Sequence, residues 1–130
     1  MNDRPNASEL LAIARATFTD CILDALPEKA RYAGLMVASA MAIAQREFDA
    51  GDAPARAERE RLRKLLAERA EPAAASALHA ALQGYNRRLA EEIRAGRFDG
   101  AERAAMLEHL RRTTEEKLSV SNPKALGSNY

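Results

Sequence analysis

Three polar side chains on otherwise apolar helix faces are the residues of this sequence best placed to do chemistry. Arg46 and Glu47 end an uncharged run, and Asn86 lies beside an apolar stripe. Buried ionisable groups can mark a site, but more often they pair structurally. We predict that Arg46 and Glu47 each pair with a group on another helix, because an unpaired buried charge costs several kcal/mol. Asn86 should either bond a neighbouring helix or face a site.

The sequence carries no motif for metal or phosphate chemistry. The two histidines, His79 and His109, are far apart, and one cysteine cannot build a thiolate metal site. A Gly-rich phosphate loop, a nucleophile elbow and kinase signatures are absent too. We interpret Cys21 as a small core residue and His79 as a structural histidine. We therefore predict no catalytic residue, no cofactor and no metal.

Composition and charge favour a helical protein in the cytoplasm. Hydrophobic residues make up 47% of the 130 residues but aromatics only 5%, and valine is rare beside alanine and leucine, which favours helix over strand. A net charge of +1 gives no overall field that would hold nucleic acid or an anionic membrane. The sequence has no signal-peptide core, and its uncharged runs are too short to span a bilayer.

Every periodic segment fits a helix. We predict an all-α, single-domain bundle of about five helices over residues 8–126, with flexible ends at 1–7 and 127–130. The expected helices cover residues 8–26, 28–50, 53–69, a segment opening at Pro72, and 100–118. The helix over 28–50 has no charge between Arg31 and Arg46, so we expect it to be central and the most buried.

The other helices are predicted to bury one side each. Helix one should turn an apolar arc that contains Leu10, Phe18 and Cys21 inward, and helix three should show a charged face to solvent. The fourth helix has a bundle seam, formed by Leu78, Leu82, Tyr85, Leu89 and Ile93. The fifth has a weaker stripe, formed by Leu107, Leu110, Thr114 and Leu118. Asn122-Pro123 should stop the last helix.

Short elements in a fixed order suggest a family relationship. They are Glu9-Leu10-Leu11, Arg31 with Ala38, Ala40, Ile43 and Arg46-Glu47, then Asn86-Arg87-x-Leu89, Ile93-Arg94-x-Gly96, His109-Leu110, and Ser119-Val120-x-Asn122-Pro123-Lys124. Each is weak alone, and together they cover residues 5–126. In this order they resemble a bacterial family of small helical proteins of largely unknown function.

The resemblance implies a partner. Similar proteins are typically encoded beside an aminoglycoside-phosphotransferase-like kinase and an acyl-CoA dehydrogenase, and some act as the small subunit that such a kinase needs to phosphorylate a hydroxyacyl-CoA. The resemblance therefore implies an accessory subunit of such a kinase, without catalytic residues of its own. The chain has Tyr85 and Ser39 where the family pattern has leucine and asparagine.

Two other functions stay open on the residues alone. The chain could be a self-associating helical domain, present as a homodimer, or a small-ligand binder that uses Arg46, Glu47 and Asn86 in an inter-helix pocket. The candidates for partner-binding or semi-buried polar residues are Arg31, Arg46, Glu47, Asn86, Arg94, His109 and Asn122.

Overall fold

The computed structural model describes residues 4–67 and 77–127, and these residues contain five α-helices and no strand. The all-α prediction is therefore confirmed. The helices are α1 (Ala7–Thr17), α2 (Glu28–Ala50), α3 (Ala53–Leu65), α4 (Leu78–Arg94) and α5 (Arg103–Ser121). The described residues form two compact units: a first unit that ends at Gly51 and includes Val120–Lys124, and a second unit from Asp52 to Ser119 that includes the residues from Ala125 onward.

Helix α1 begins with a capping box and ends earlier than predicted. The Asn6 side chain accepts from the Glu9 backbone N–H at 2.9 Å, and the Glu9 carboxylate accepts from the Asn6 N–H at 2.8 Å. After Thr17 the chain widens into a π turn (Phe18–Ile22) and tightens into a 3-10 turn (Leu23–Ala25). Both turns change the rotation per residue. A helical wheel drawn at 3.6 residues per turn therefore does not predict which side chains face inward there. Cys21 is exposed, and our interpretation of it as a core residue was wrong.

Helix α2 has the predicted bounds but not the predicted burial. It packs against α1, and its buried residues are the small Gly34 and Ala42. A Cβ at Gly34 would lie 2.6 Å from Leu26 Cδ1, so glycine permits this close approach. The opposite side is open: Tyr32 is 75% exposed and Met36 53%. The expectation that this helix is central and the most buried was wrong, because its neighbours cover only one side.

The large core lies in the second unit. It is formed by Leu62, Leu66, Ala81, Leu82, Tyr85, Leu89, Phe98 and Met106. The predicted seam of α4 is confirmed at its centre, where Leu82, Tyr85 and Leu89 are buried. Gly96, with a positive φ of 80°, follows the end of this helix. The predicted opening of the helix at Pro72 falls outside the described residues.

Helices α3 and α5 show different inward faces from those predicted. Helix α3 ends at Leu65, and it buries Glu58 beside Leu62, although its charged side was expected to be solvated. In α5 the buried residues are Met106, His109 and Thr113, whereas Leu107 of the predicted stripe is 49% exposed. The true face is rotated by about one residue, roughly 100°, because two polar side chains take inward positions. Helix α5 ends at Ser121, just before Asn122-Pro123 as predicted.

We expect the two units to respond differently to truncation of an apolar side chain. Leu62→Ala removes a fully buried side chain and should lower the free energy of unfolding by about 2–5 kcal/mol. Met36→Ala, on the open side of α2, should cost under about 1 kcal/mol. Urea titration followed by far-UV circular dichroism measures both. Equal costs would mean that the core is misplaced.

Candidate functional site

The predicted site residue Asn86 is bonded to a neighbouring helix. Its Nδ2 donates to Glu58 Oε1 on α3 at 3.0 Å. Asn86 itself is exposed, but the Glu58 side chain that it bonds is buried. The amide thus supplies a hydrogen bond to a carboxylate that has been removed from water, which lowers the cost of burying that charge.

Arg61 joins α3 to α5. Its Nη1 and Nη2 donate to Glu116 Oε1 and Oε2 at 2.9 and 2.6 Å, and Nη2 also donates to Thr113 Oγ1 at 3.3 Å. The two charged side chains are only 21% and 32% exposed, so this is a well-shielded bidentate pair. The third guanidinium nitrogen, Nε, is buried and has no hydrogen-bond partner among the described residues.

His109 lies inside the second unit next to this pair. It is 4% exposed, and its Nδ1 is buried with no hydrogen-bond partner among the described residues. Burial lowers the pKa of the imidazole, and the nearby Arg61 cation lowers it further, while Glu58 opposes the shift. His109 is therefore neutral at pH 7. Tyr85 also has a buried hydroxyl without a partner in the described part of the chain.

A cavity of about 420 Å³ borders this cluster. Arg61, Lys64, Arg112 and His109 contribute to its lining, together with apolar surface such as Leu65. Each of its cations already has a carboxylate partner: Arg61 pairs with Glu116, Lys64 with Glu60, and Arg112 with Glu108. The cluster is thus compensated internally and leaves no spare charge for a charged ligand.

In the first unit, Arg46 ties α2 to the end of α5. Its Nε donates to the backbone carbonyl of Val120 at 2.6 Å, which is the partner on another helix that the sequence predicted. Glu47 is exposed and forms no ion pair with any described residue, so its predicted pairing is not found there. An exposed carboxylate pays no burial cost that would require a partner.

Arg46 also borders a second cavity, of about 480 Å³. The predicted residue Asn122 lines it, and so does Ser39 of α2. Among the described residues, two cations that the sequence analysis did not single out for a site, Arg15 and Lys124, complete the basic part of its lining. The remaining predicted residues lie elsewhere: Arg31 pairs with Asp24 at 3.2 Å, and Arg94 is exposed at the end of α4.

Sequence reasoning missed Glu58, Arg61, Thr113 and Glu116. Glu58 and Arg61 are three residues apart on α3 and therefore share one face of that helix with the buried Leu62. That spacing was the available signal. The sequence pattern instead predicts a charged face of this helix in solvent, and the Glu60–Lys64 pair at 3.5 Å fits that prediction.

Membrane and metal sites can be checked on the same residues. Within residues 4–67 and 77–127, no helix has both the length and the apolarity needed to cross a bilayer. Over the same ranges, no group of three or more His, Cys, Asp or Glu side chains is arranged to hold a metal ion.

The fold and these polar clusters define a small all-α protein, and comparison with known families identifies the family. The model of one family, a domain of unknown function (DUF6285), matches residues 24–125. Because the match covers most of the chain, the protein belongs to this family. Searches of curated proteins and of solved structures found no match.

The buried His109 should make stability depend on pH. The unfolded imidazole takes up a proton below a pH of about 6.5, whereas the native one has a lowered pKa and resists protonation. The unfolded state then binds more protons, so the free energy of unfolding should fall as the pH is lowered from 7.5 to 5.5. Urea titrations at both pH values measure it.

The two histidines provide matched variants for this test. His109→Gln should flatten the dependence over this window, whereas His79→Gln, at an exposed position, should leave it unchanged. A His109→Gln variant that keeps the full dependence would show that another group causes it.

Removing the Asn86 amide should destabilise the second unit. In Asn86→Ala the buried Glu58 carboxylate loses its amide donor, and we expect a cost of about 1–3 kcal/mol. Asn122→Ala, at an exposed asparagine, should cost under about half a kcal/mol and serves as the control. Thermal unfolding of the three proteins measures the difference, and equal stabilities would contradict a structural role for Asn86.

Proposed function

We propose that this protein is a non-catalytic accessory subunit that binds and activates an aminoglycoside-phosphotransferase-like kinase acting on hydroxyacyl-CoA in acyl-CoA catabolism. The identity of the partner rests on the sequence resemblance described above. The structural observation that supports a partner-binding role is the open apolar side of α2. A protein of this kind needs a surface that another chain can cover, and α2 offers one.

The open side of α2 is continuous and nearly uncharged. At 100° per residue its exposed members fall within an arc of about 160°: Tyr32, Ala33, Met36, Val37, Ala40, Ala44 and Phe48. Two charged residues fall within this arc, Lys29 in the first turn of the helix and Glu47 in its last turn. Contiguous exposed apolar surface, with polar residues at its border, is typical of protein–protein interaction sites. We refer to these seven residues as the α2 apolar face.

The α2 apolar face supports a mechanism of activation by docking. An apolar helix face gains free energy when a partner removes it from water, at about 25 cal/mol per Å² of apolar surface. Bound this way, the subunit would order the kinase or its substrate site, and the phosphoryl-transfer chemistry would belong to the kinase. Glu47 would then meet a basic or hydrogen-bonding group of the partner.

The test is a kinase assay with and without this protein, across hydroxyacyl-CoA substrates. We expect turnover to rise when the protein is added, and a complex to appear in size-exclusion chromatography at micromolar concentrations. Met36→Glu places a charge in the α2 apolar face and should weaken the complex at least about tenfold. Leu107→Glu changes a residue of similar exposure on α5 and should leave it unchanged.

Charge reversal provides a second measurement. Arg94 is exposed, and Arg94→Glu should weaken the complex more than it changes stability, because surface substitutions rarely shift stability by more than about half a kcal/mol. Arg31→Glu should do the same, although it also removes the Asp24 ion pair. Full activity of the kinase alone, with no complex formed, would overturn the proposal. A homodimer that Met36→Glu dissociates would then favour the self-associating domain.

A further inference from the structure

The cavity beside Arg46 collects positive charge. Arg15 of α1, Arg46 of α2 and Lys124 of the C-terminal turn border it, and within residues 4–67 and 77–127 no Asp or Glu side chain does. None of the three cations forms an ion pair with a described residue. In the other cavity described above, by contrast, every cation has a carboxylate partner. Grouping three cations without a counter-charge costs free energy, and an anion bound there would relieve that cost.

One carboxylate lies nearby and does not neutralise the group. Asp20 lines an adjacent pocket together with Arg15, but the two side chains form no ion pair. The positive charge at the Arg46 cavity therefore remains available to a ligand.

Arg46 is held in position for such a ligand. Its Nε donates to Val120 O at 2.6 Å, while its two terminal nitrogens have no hydrogen-bond acceptor among the described residues. The bond to a backbone carbonyl fixes the plane of the guanidinium. A pre-oriented guanidinium loses less conformational entropy when it binds an anion than a freely moving one.

The rest of the lining divides into hydrogen-bonding and apolar parts. Thr19, Ser39 and Asn122 contribute a hydroxyl or an amide. Leu23 and Ala42, both buried, contribute apolar surface on the same cavity. A volume of about 480 Å³ lies within the usual range of small-molecule sites, which is about 300–1,000 Å³.

We propose that this cavity binds a small molecule that carries a phosphate group on a compact apolar body. A phosphate dianion offers three acceptor oxygens to three cations and the neighbouring hydroxyl and amide donors, whereas a carboxylate offers two oxygens and one charge. The apolar body would lie against Leu23 and Ala42. This binding is a property of the isolated protein and does not rest on the kinase proposal.

The test uses the full chain alone, titrated by calorimetry with butyl phosphate, inorganic phosphate and butyrate. Butyl phosphate should bind at least fivefold more tightly than either of the others, because only it combines the phosphate group with an apolar body. Its binding should also weaken at high salt, since partly exposed cations are screened. Equal affinity for butyrate would overturn the phosphate assignment, and no binding at millimolar concentrations would overturn the site.

Variants separate this cavity from general basicity. Arg15→Gln and Lys124→Gln change exposed side chains that form no ion pair within the described part of the chain, so circular dichroism should show both variants folded. Each substitution should weaken the binding of butyl phosphate at least fivefold. Arg94→Gln removes the same charge from the second unit and should bind butyl phosphate as the wild type does. If all three variants weaken binding equally, the phosphate is held by net charge and the proposal fails.

Discussion

The bidentate ion pair between Arg61 and Glu116 joins α5 to α3 on a side of α5 that carries little apolar surface. Helix α5 has little apolar character on its inward side, which consists of Met106, His109 and Thr113. Arg61 compensates by donating to Glu116 twice and to Thr113 once, so α3 and α5 are joined through a planar, directional contact. Directional contacts specify the rotation of a helix more narrowly than apolar packing does. That rotation brings His109 inside and leaves Leu107 exposed.

The sequence predicted the helices well and their inward faces unevenly. The ends of α2 match because Pro27 and Gly51 act through local backbone geometry, and the seam of α4 matches because a leucine-rich stripe has few competing orientations. The predicted face of α5 was wrong because polar residues take its inward positions, and one of them, Thr113, accepts a hydrogen bond from Arg61 on another helix. Local pattern carries no information about such a partner. The predicted inward arc of helix one was wrong for a different reason. The π turn after Thr17 changes the number of residues per turn, so a helical wheel at 3.6 residues per turn misplaces the residues that follow.

The residues of the candidate sites also divide into those that the sequence could indicate and those that it could not. Arg46 and Asn122 could be selected from the sequence, and the structure places both on one cavity. Arg15 could not be selected, because nothing in its local sequence distinguishes it from the other solvent-facing cations of a chain rich in charge. Lys124 belongs to a family element, but that element gave no reason to place it at a cavity. Glu58 and Arg61 belong to a helix so rich in charge that its charged face was predicted to be solvated. Such groups are recognised only when the fold shows which cations have carboxylate partners and which do not.

Both proposed binding surfaces of the first unit use α2, from different sides. The cavity residues Ala38, Ser39, Ala42 and Arg46 centre about 140° around the helix from the middle of the α2 apolar face. A partner docked on the α2 apolar face would therefore contact a different side of α2 from the cavity. The partner and the small molecule need not compete for the same atoms. Helix α2 is the element that both surfaces share, so it is the direct route by which one ligand could influence the other. By linkage, such an influence would act equally in both directions on the two binding free energies.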